Sequence, residues 1–209
     1  MTVERVPESA ARVFGDSTAT MGAFASLLAA EGELRGLIGP RELPRLWTRH
    51  LLNSSAVASF VPQGARFVDI GSGAGFPGVV VAIMRADLEV HLVEPMDRRT
   101  TWLEHVAREL ALSNVTVVRA RAEELHGSAA YDVVSARAVA ALKKLVPWTA
   151  PLVRPGGQLV ALKGERAAAE VDEAAKTLRK YGLADPVVHE IVVEGTDELT
   201  RVVTAQKGN

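Results

Sequence analysis

The sequence predicts an α/β fold built on a mostly parallel sheet, and three observations carry that reading. From Arg66 onward, short apolar runs alternate with stretches of helical periodicity, the pattern of β-α-β units whose sheet is covered on both faces. Residues 1–64 hold Leu, Ala, Phe and Trp at helical spacing, broken by Gly36, Gly39 and Pro40, and contain no strand run, so they read as a helical cap. After Pro186 the alternation stops: VVHEIVV and LTRVVTAQK are separated only by EGTDE, which predicts a closing hairpin with at least one antiparallel strand.

The elements follow in order. FVDI is the first strand and VVVAIM its helix; EVHLVE leads to the helix RRTTWLEHVARELAL; VTVVRA leads to a short AEEL turn; YDVVSA leads to AVAALKKLVPWTA. Arg154-Pro155-Gly156-Gly157 reads as a turn into the fifth strand, GQLVALKG, and the alanine-rich stretch from Glu165 to Lys180 as the next helix. Five strands and a hairpin make seven.

Composition narrows the class. With 209 residues, the chain is long enough for one substantial core with an appendage and too short for two full domains. Its 24 Lys+Arg against 25 Asp+Glu exclude a polybasic protein, so any nucleic-acid affinity must come from a local patch. The absence of cysteine removes disulfides, thiolate metal sites and cysteine nucleophiles together. No apolar run approaches the ~20 residues of a membrane span, and the N-terminus lacks a secretory pattern, so a cytoplasmic protein without a metal is expected.

The stretch RFVDIGSGAGFPG places Gly71, Gly73 and Gly75 just past the first strand, where ligands bind in open α/β sheets. A dinucleotide fingerprint fits only in the shifted frame Gly73, Gly75, Gly78. Asp69, directly before the glycines, would repel a pyrophosphate, whereas S-adenosylmethionine brings an ammonium and a sulfonium. Glu94 ends the second strand, about twenty residues on, where an acid can accept hydrogen bonds from both ribose hydroxyls. NAD sites share that acid, and either carboxylate alone reads equally well as a helix cap or a solvated strand end. Ala122 and Glu123, past the third strand, are placed to read an adenine edge, although Glu123 reads nearly as well as a solvated helix-start acid, and Phe76 is placed to lie against the cofactor or in the core. Met84, Met96 and Trp102 read as packing.

The acceptor has to be inferred from the rim. Arg98 and Arg99 follow the second strand, Arg119 and Arg121 the third, Arg137 the fourth and Lys163 the fifth, and all are expected at one cleft. Arg45, Arg49 and His50, with Trp47, add to a basic mouth with aromatic interleaving that suits RNA, although any one arginine reads as well as a solubilising surface charge. His50 is a general-base candidate or a structural hydrogen-bonder. Without cysteine, covalent pyrimidine C5 methylation is closed, and VVSARAVA lacks the Asn/Asp-Pro-Pro-aromatic sequence of many amine methylators, leaving a ring nitrogen or a hydroxyl as acceptor.

RHLLNS (49–54), FVDIGSGAGFPG (67–78), DRR after LVEP (93–99), RAEEL (121–125), SARA (135–138) and LVALKG (159–164) together resemble the bacterial 16S ribosomal RNA guanine-N7 methyltransferases, the glucose-inhibited division protein B family. The resemblance runs from about Arg45 to Lys207. It implies a Rossmann-like class I S-adenosylmethionine-dependent methyltransferase with a mostly parallel seven-stranded sheet: an N-terminal helical cap (1–64) and a methyltransferase domain (65–209). Cofactor contacts are implied at Gly71, Phe76, Ala122, Glu123 and Arg137, beside Asp69, Gly73, Gly75 and Glu94. Arg45, Arg49, His50, Arg98, Arg99, Arg121 and Lys163 are expected to engage RNA, with Arg137 and Lys163 positioning the target base. The expected partner is 16S ribosomal RNA or a small-subunit particle, met by a monomer. Asn53 stands where the family often has Asp, so no acidic role is expected there. A small-molecule methyltransferase and a non-catalytic RNA-binding module are the competing readings.

Overall fold

The computed structural model describes residues 3–208. The first segment carries α1 (Ala10–Phe14), α2 (Thr18–Glu31), a π-helical turn over Leu46–Leu52 and α3 (Asn53–Ser55). The sheet then builds through β1 (Arg66–Ile70), α4 (Gly78–Met84), β2 (Glu89–Val93), α5 (Asp97–Glu109), β3 (Val115–Val118), β4 (Tyr131–Arg137), α6 (Leu142–Thr149), β5 (Val153–Lys163), α7 (Ala167–Lys180), β6 (Leu183–Ile191) and β7 (Thr200–Lys207).

The seven strands lie in the order β3-β2-β1-β4-β5-β7-β6, with β7 antiparallel to both neighbours. The order reverses between β1 and β4, which opens a crevice at their carboxyl ends. Strand alternation decides which side chains meet which layer. Phe67 and Val133 face the helical segment and pack with Phe24, Leu28 and Trp47 in one core, whereas Val68 and Val134 face Leu145 and Leu178 of α6 and α7 in a second. Asp69 and Arg137 share the parity of Phe67 and Val133, so both lie on the face that the N-terminal helices cover.

Two boundaries differ from expectation. β6 begins at Leu183, before Pro186, because an irregularity in its pairing between Ala184 and Val187 carries the proline on an edge strand. β5 begins at Val153: Val153 pairs with Tyr131 and Gln158 with Val133, and the expected turn at Arg154–Gly157 bulges out between them.

Candidate active site

Two cavities open at the carboxyl edge of the sheet. The first, about 480 Å³, is lined by Gly71 and Gly73, by Glu94, Ala122 and Glu123, and by Arg137. The glycine turn shapes its floor. Gly71 has φ +72°, and a Cβ there would stand 2.8 Å from Val139, so only glycine leaves the cavity open. The turn is pinned from α5, where Trp102 Nε1 donates to the Ala74 carbonyl at 3.1 Å.

Glu94 forms one wall and is 2% exposed. Its Oε2 accepts from the Gly73 N–H at 3.1 Å and its Oε1 from the Met96 N–H at 3.0 Å. A carboxylate offers about four acceptor sites, so both oxygens keep capacity for a diol in the cavity. Arg99 Nη1 stands 3.7 Å away and also lines this space.

Asp69 departs from the expected direct contact with a ligand's ammonium. It is completely buried, does not line either cavity, and accepts from the Gly78 N–H at 3.0 Å through Oδ2. The physical reason is its parity on β1, which points it beneath the turn toward the N-terminal helices. Burial raises its pKa to about 7, and Oδ1 has no hydrogen-bond partner. Gly75 and Phe76 likewise stand outside the cavity walls. A Cβ on Gly75 would meet Val79 at 2.7 Å, and the Phe76 ring packs against Phe24 at 5.8 Å and His50 at 5.0 Å.

Arg137 lines both cavities, yet most of its donors are turned toward the N-terminal segment. Nη1 reaches Ser54 Oγ at 3.0 Å and Nη2 the Arg49 carbonyl at 3.2 Å and His50 Nδ1 at 2.7 Å, while the guanidinium lies 5.4 Å over the Phe76 ring. Arginine can only donate, so Nδ1 of His50 must accept and the ring proton sits on Nε2, which donates to Glu42 Oε2 at 2.7 Å. Burial and the Arg137 charge push the His50 pKa down to about 4, and burial lowers that of Arg137 to about 10. His50 is therefore neutral, buried and engaged at both nitrogens, which corrects its expected place on an RNA-facing surface. Nothing in the sequence marked Glu42, which reaches the site from a loop preceding the π-helical turn.

The second cavity, about 750 Å³, meets the first at Arg137 and Ala138 and is lined further by Arg49, Lys163, Glu165, Glu170 and Arg201. The strand-end cations do not all converge, contrary to expectation. Arg99 and Arg121 line the first cavity and Lys163 the second, but Arg98 lies against Gly36 in a separate shallow depression. Consecutive helical positions point about 100° apart, so Arg98 and Arg99 cannot share a target. Arg119 pairs with Asp97 away from both cavities, and Arg45, which lines neither, pairs at 2.6 Å with Glu198 on the wall of the second. Met96, expected in the packing, is exposed and lines the first cavity. Among the described residues, no group of three or more His, Asp or Glu side chains is placed to hold a metal, and no helix is long and apolar enough to cross a membrane.

The strand order, the glycine turn at the reversal and the acid closing β2 define the Rossmann-like fold of the class I S-adenosylmethionine-dependent methyltransferases. Solved structures of such enzymes share it. M. jannaschii TYW2 in complex with AdoMet superimposes with a TM-score of 0.60 at 19% identity, over 77% of this chain and 76% of that one. A predicted O-methyltransferase from Agrobacterium tumefaciens gives 0.58 at 22% identity, over 76% and 80%. The particular family follows from sequence: the family described as GidB, rRNA small subunit methyltransferase G, matches residues 17–199. Proteins named ribosomal RNA small subunit methyltransferase G are 53% identical in Beutenbergia cavernae, over 94% of this chain and 92% of the relative, and 54% identical in Thermobifida fusca, over 86% and 76%. The chain belongs to this family of methyltransferases.

Proposed function

We propose that this protein transfers a methyl group from S-adenosylmethionine to N7 of a guanine in 16S ribosomal RNA of the small subunit. The observation that carries the reading is that Arg137 and Ala138 line both cavities, which sets a donor in the first beside an acceptor in the second. The first cavity fits the cofactor: a glycine floor that a Cβ would fill, a buried carboxylate with spare acceptor sites for a ribose, and Ala122 and Glu123 on the adenine side. Bound there, S-adenosylmethionine supplies a methyl already activated on sulfur. The protein's own contribution is alignment, which accounts for most of the acceleration available to such a transfer.

The two candidate general bases are both committed elsewhere. His50 is neutral and engaged at both ring nitrogens, and the Lys163 ammonium is ion-paired with Glu170 at 2.9 Å. Guanine N7 has an in-plane lone pair and no proton to lose, so its methylation asks neither His50 nor Lys163 to act as a base. A small-molecule methyltransferase calls for an apolar enclosing lid, and the second cavity is lined instead by Arg49, Lys163, Glu165 and Arg201.

Asp69, Gly75 and Phe76 support the cofactor from beneath the turn. Arg121, Arg99 and Arg49 engage RNA phosphates, and Arg137 and Lys163 hold the target base. The division at residue 64 into cap and methyltransferase domain, a monomeric state and a cytoplasmic location complete the reading. Incubation with methyl-labelled cofactor and unmethylated small-subunit RNA, followed by digestion to nucleosides, tests it: 7-methylguanosine is expected, and 2′-O-methyl or N2-methyl products would overturn the assignment.

A further inference from the structure

On the wall of the second cavity Lys163 and Glu170 form a partly buried ion pair, their side chains 7% and 19% exposed. Both side chains open onto the cavity, so the pair is available to a ligand there. It is also held rigidly. Lys163 Nζ donates to the Ala140 carbonyl at 2.7 Å, and Glu170 Oε2 accepts from the Leu142 N–H at 2.7 Å as well as from the lysine. Two functions are left over: the third Nζ proton, and Oε1 of Glu170, which makes no hydrogen bond among the described residues. Burial alone would raise the Glu170 pKa, but the hydrogen bonds from Lys163 and Leu142 outweigh it and keep the carboxylate ionised, an acceptor only.

We infer that the Lys163–Glu170 pair reads the target base, the ammonium donating to O6 and the free carboxylate oxygen accepting from N1–H. This rests on the reading that N7 of a guanine receives the methyl. With N7 turned toward the junction at Arg137 and Ala138, the next atoms around the purine ring, O6 and then N1–H, face into the second cavity. Guanine there presents an acceptor beside a donor, and the fixed pair presents a donor beside an acceptor. Adenine reverses both atoms, setting an amine against the ammonium and a lone pair against the carboxylate. The pair therefore admits guanine and rejects adenine by setting donor against donor and acceptor against acceptor, the form of discrimination that polar sites perform best.

Glu170→Gln tests the carboxylate. The amide oxygen keeps the bonds to Lys163 and Leu142, which leaves an NH₂ facing N1–H. The second-order rate of 7-methylguanosine formation on unmethylated small-subunit RNA should fall about ten- to a hundredfold, in the range of one base-edge pair, while calorimetric affinity for S-adenosylmethionine stays unchanged. A base-replacement arm uses the unaltered protein. Once the methylated guanine is mapped, RNA carrying inosine there, which keeps O6 and N1–H, should be methylated near the guanine rate, and RNA carrying 2-aminopurine, which has neither, should not. Full activity of Glu170→Gln, or methylation of 2-aminopurine at the guanine rate, overturns the base-reading role while leaving N7 transfer intact. If the unaltered protein makes no 7-methylguanosine, the underlying reading fails instead.

Discussion

Glu94 and Asp69 flank the glycine turn in different surroundings, and removing each should cost something different. Glu94 faces the first cavity, so Glu94→Ala should weaken S-adenosylmethionine binding by roughly ten- to a hundredfold, the worth of a charge-assisted contact, as calorimetry would read. Asp69 faces protein. Asp69→Asn keeps an acceptor for the Gly78 N–H and should change cofactor affinity by less than about threefold, whereas a loss as large as that of Glu94→Ala would restore it to direct contact. Glu42 acts through His50 on Arg137, so His50→Ala should loosen the guanidinium without removing a base. Single-turnover methylation at saturating RNA should then fall well short of the ~10²–10⁴-fold loss typical of a missing general base. Asp69 and Glu94 were both legible in the sequence because each stands at the carboxyl end of one of two neighbouring strands, β1 and β2. Which one faces the cavity was not, because that depends on parity against a helical layer whose position the sequence does not state. Glu42 carried no signal at all: its partner His50 is chosen by loop geometry.

Among elements, β1 and the π-helical turn bring together two buried groups whose protonation opposes. Asp69 has its pKa raised from 3.8 to about 7, so the folded state holds the extra proton and stability falls as pH rises through that window. His50 has its pKa lowered from 6.5 to about 4, so the unfolded state holds the extra proton and stability rises with pH between those values. Between pH ~4 and ~6.5 the two slopes offset one another, and from ~6.5 to ~7 only Asp69 acts. Asp69→Asn should therefore gain stability with rising pH more steeply than the unaltered protein below ~6.5 and lose the decline above it, as denaturant titrations at stepped pH would show. Parallel curves for the two proteins would remove the buried acid from the account. Strand and helix order was legible throughout, since apolar runs and their spacing are set locally. The early start of β6 was hidden because Pro186 reads as a breaker, and only its place on an edge strand tolerates it.

For the whole molecule, net charge conceals where RNA can bind, because the total of −1 averages cations that are committed with cations that are free. Arg45 and Arg119 are paired with Glu198 and Asp97, Lys163 is tied to Glu170, and Arg137 to the π-helical turn. Arg121 is exposed at the mouth of the first cavity, and no ion pair engages it among the described residues. The sequence placed Arg119, Arg121, Arg137 and Lys163 at strand ends and Arg45 on the preceding helical segment, but it could not separate them, since pairing depends on which acids the fold brings opposite. A cation already neutralised by a neighbouring carboxylate releases few counterions when RNA arrives, whereas a free one replaces condensed counterions on a phosphate. For a single-stranded segment each phosphate so neutralised contributes ~0.7 to the slope of log affinity against log salt. Arg121→Ala should therefore lower that slope by about 0.7 and weaken RNA binding across sequences, while Arg119→Ala, which breaks an exposed pair, should leave it nearly unchanged. Filter binding of small-subunit RNA over a range of salt concentrations reads both. Equal slopes for the two variants would mean that the exposed mouth of the first cavity does not meet the RNA backbone, and that the polyanion approaches from another side of the sheet.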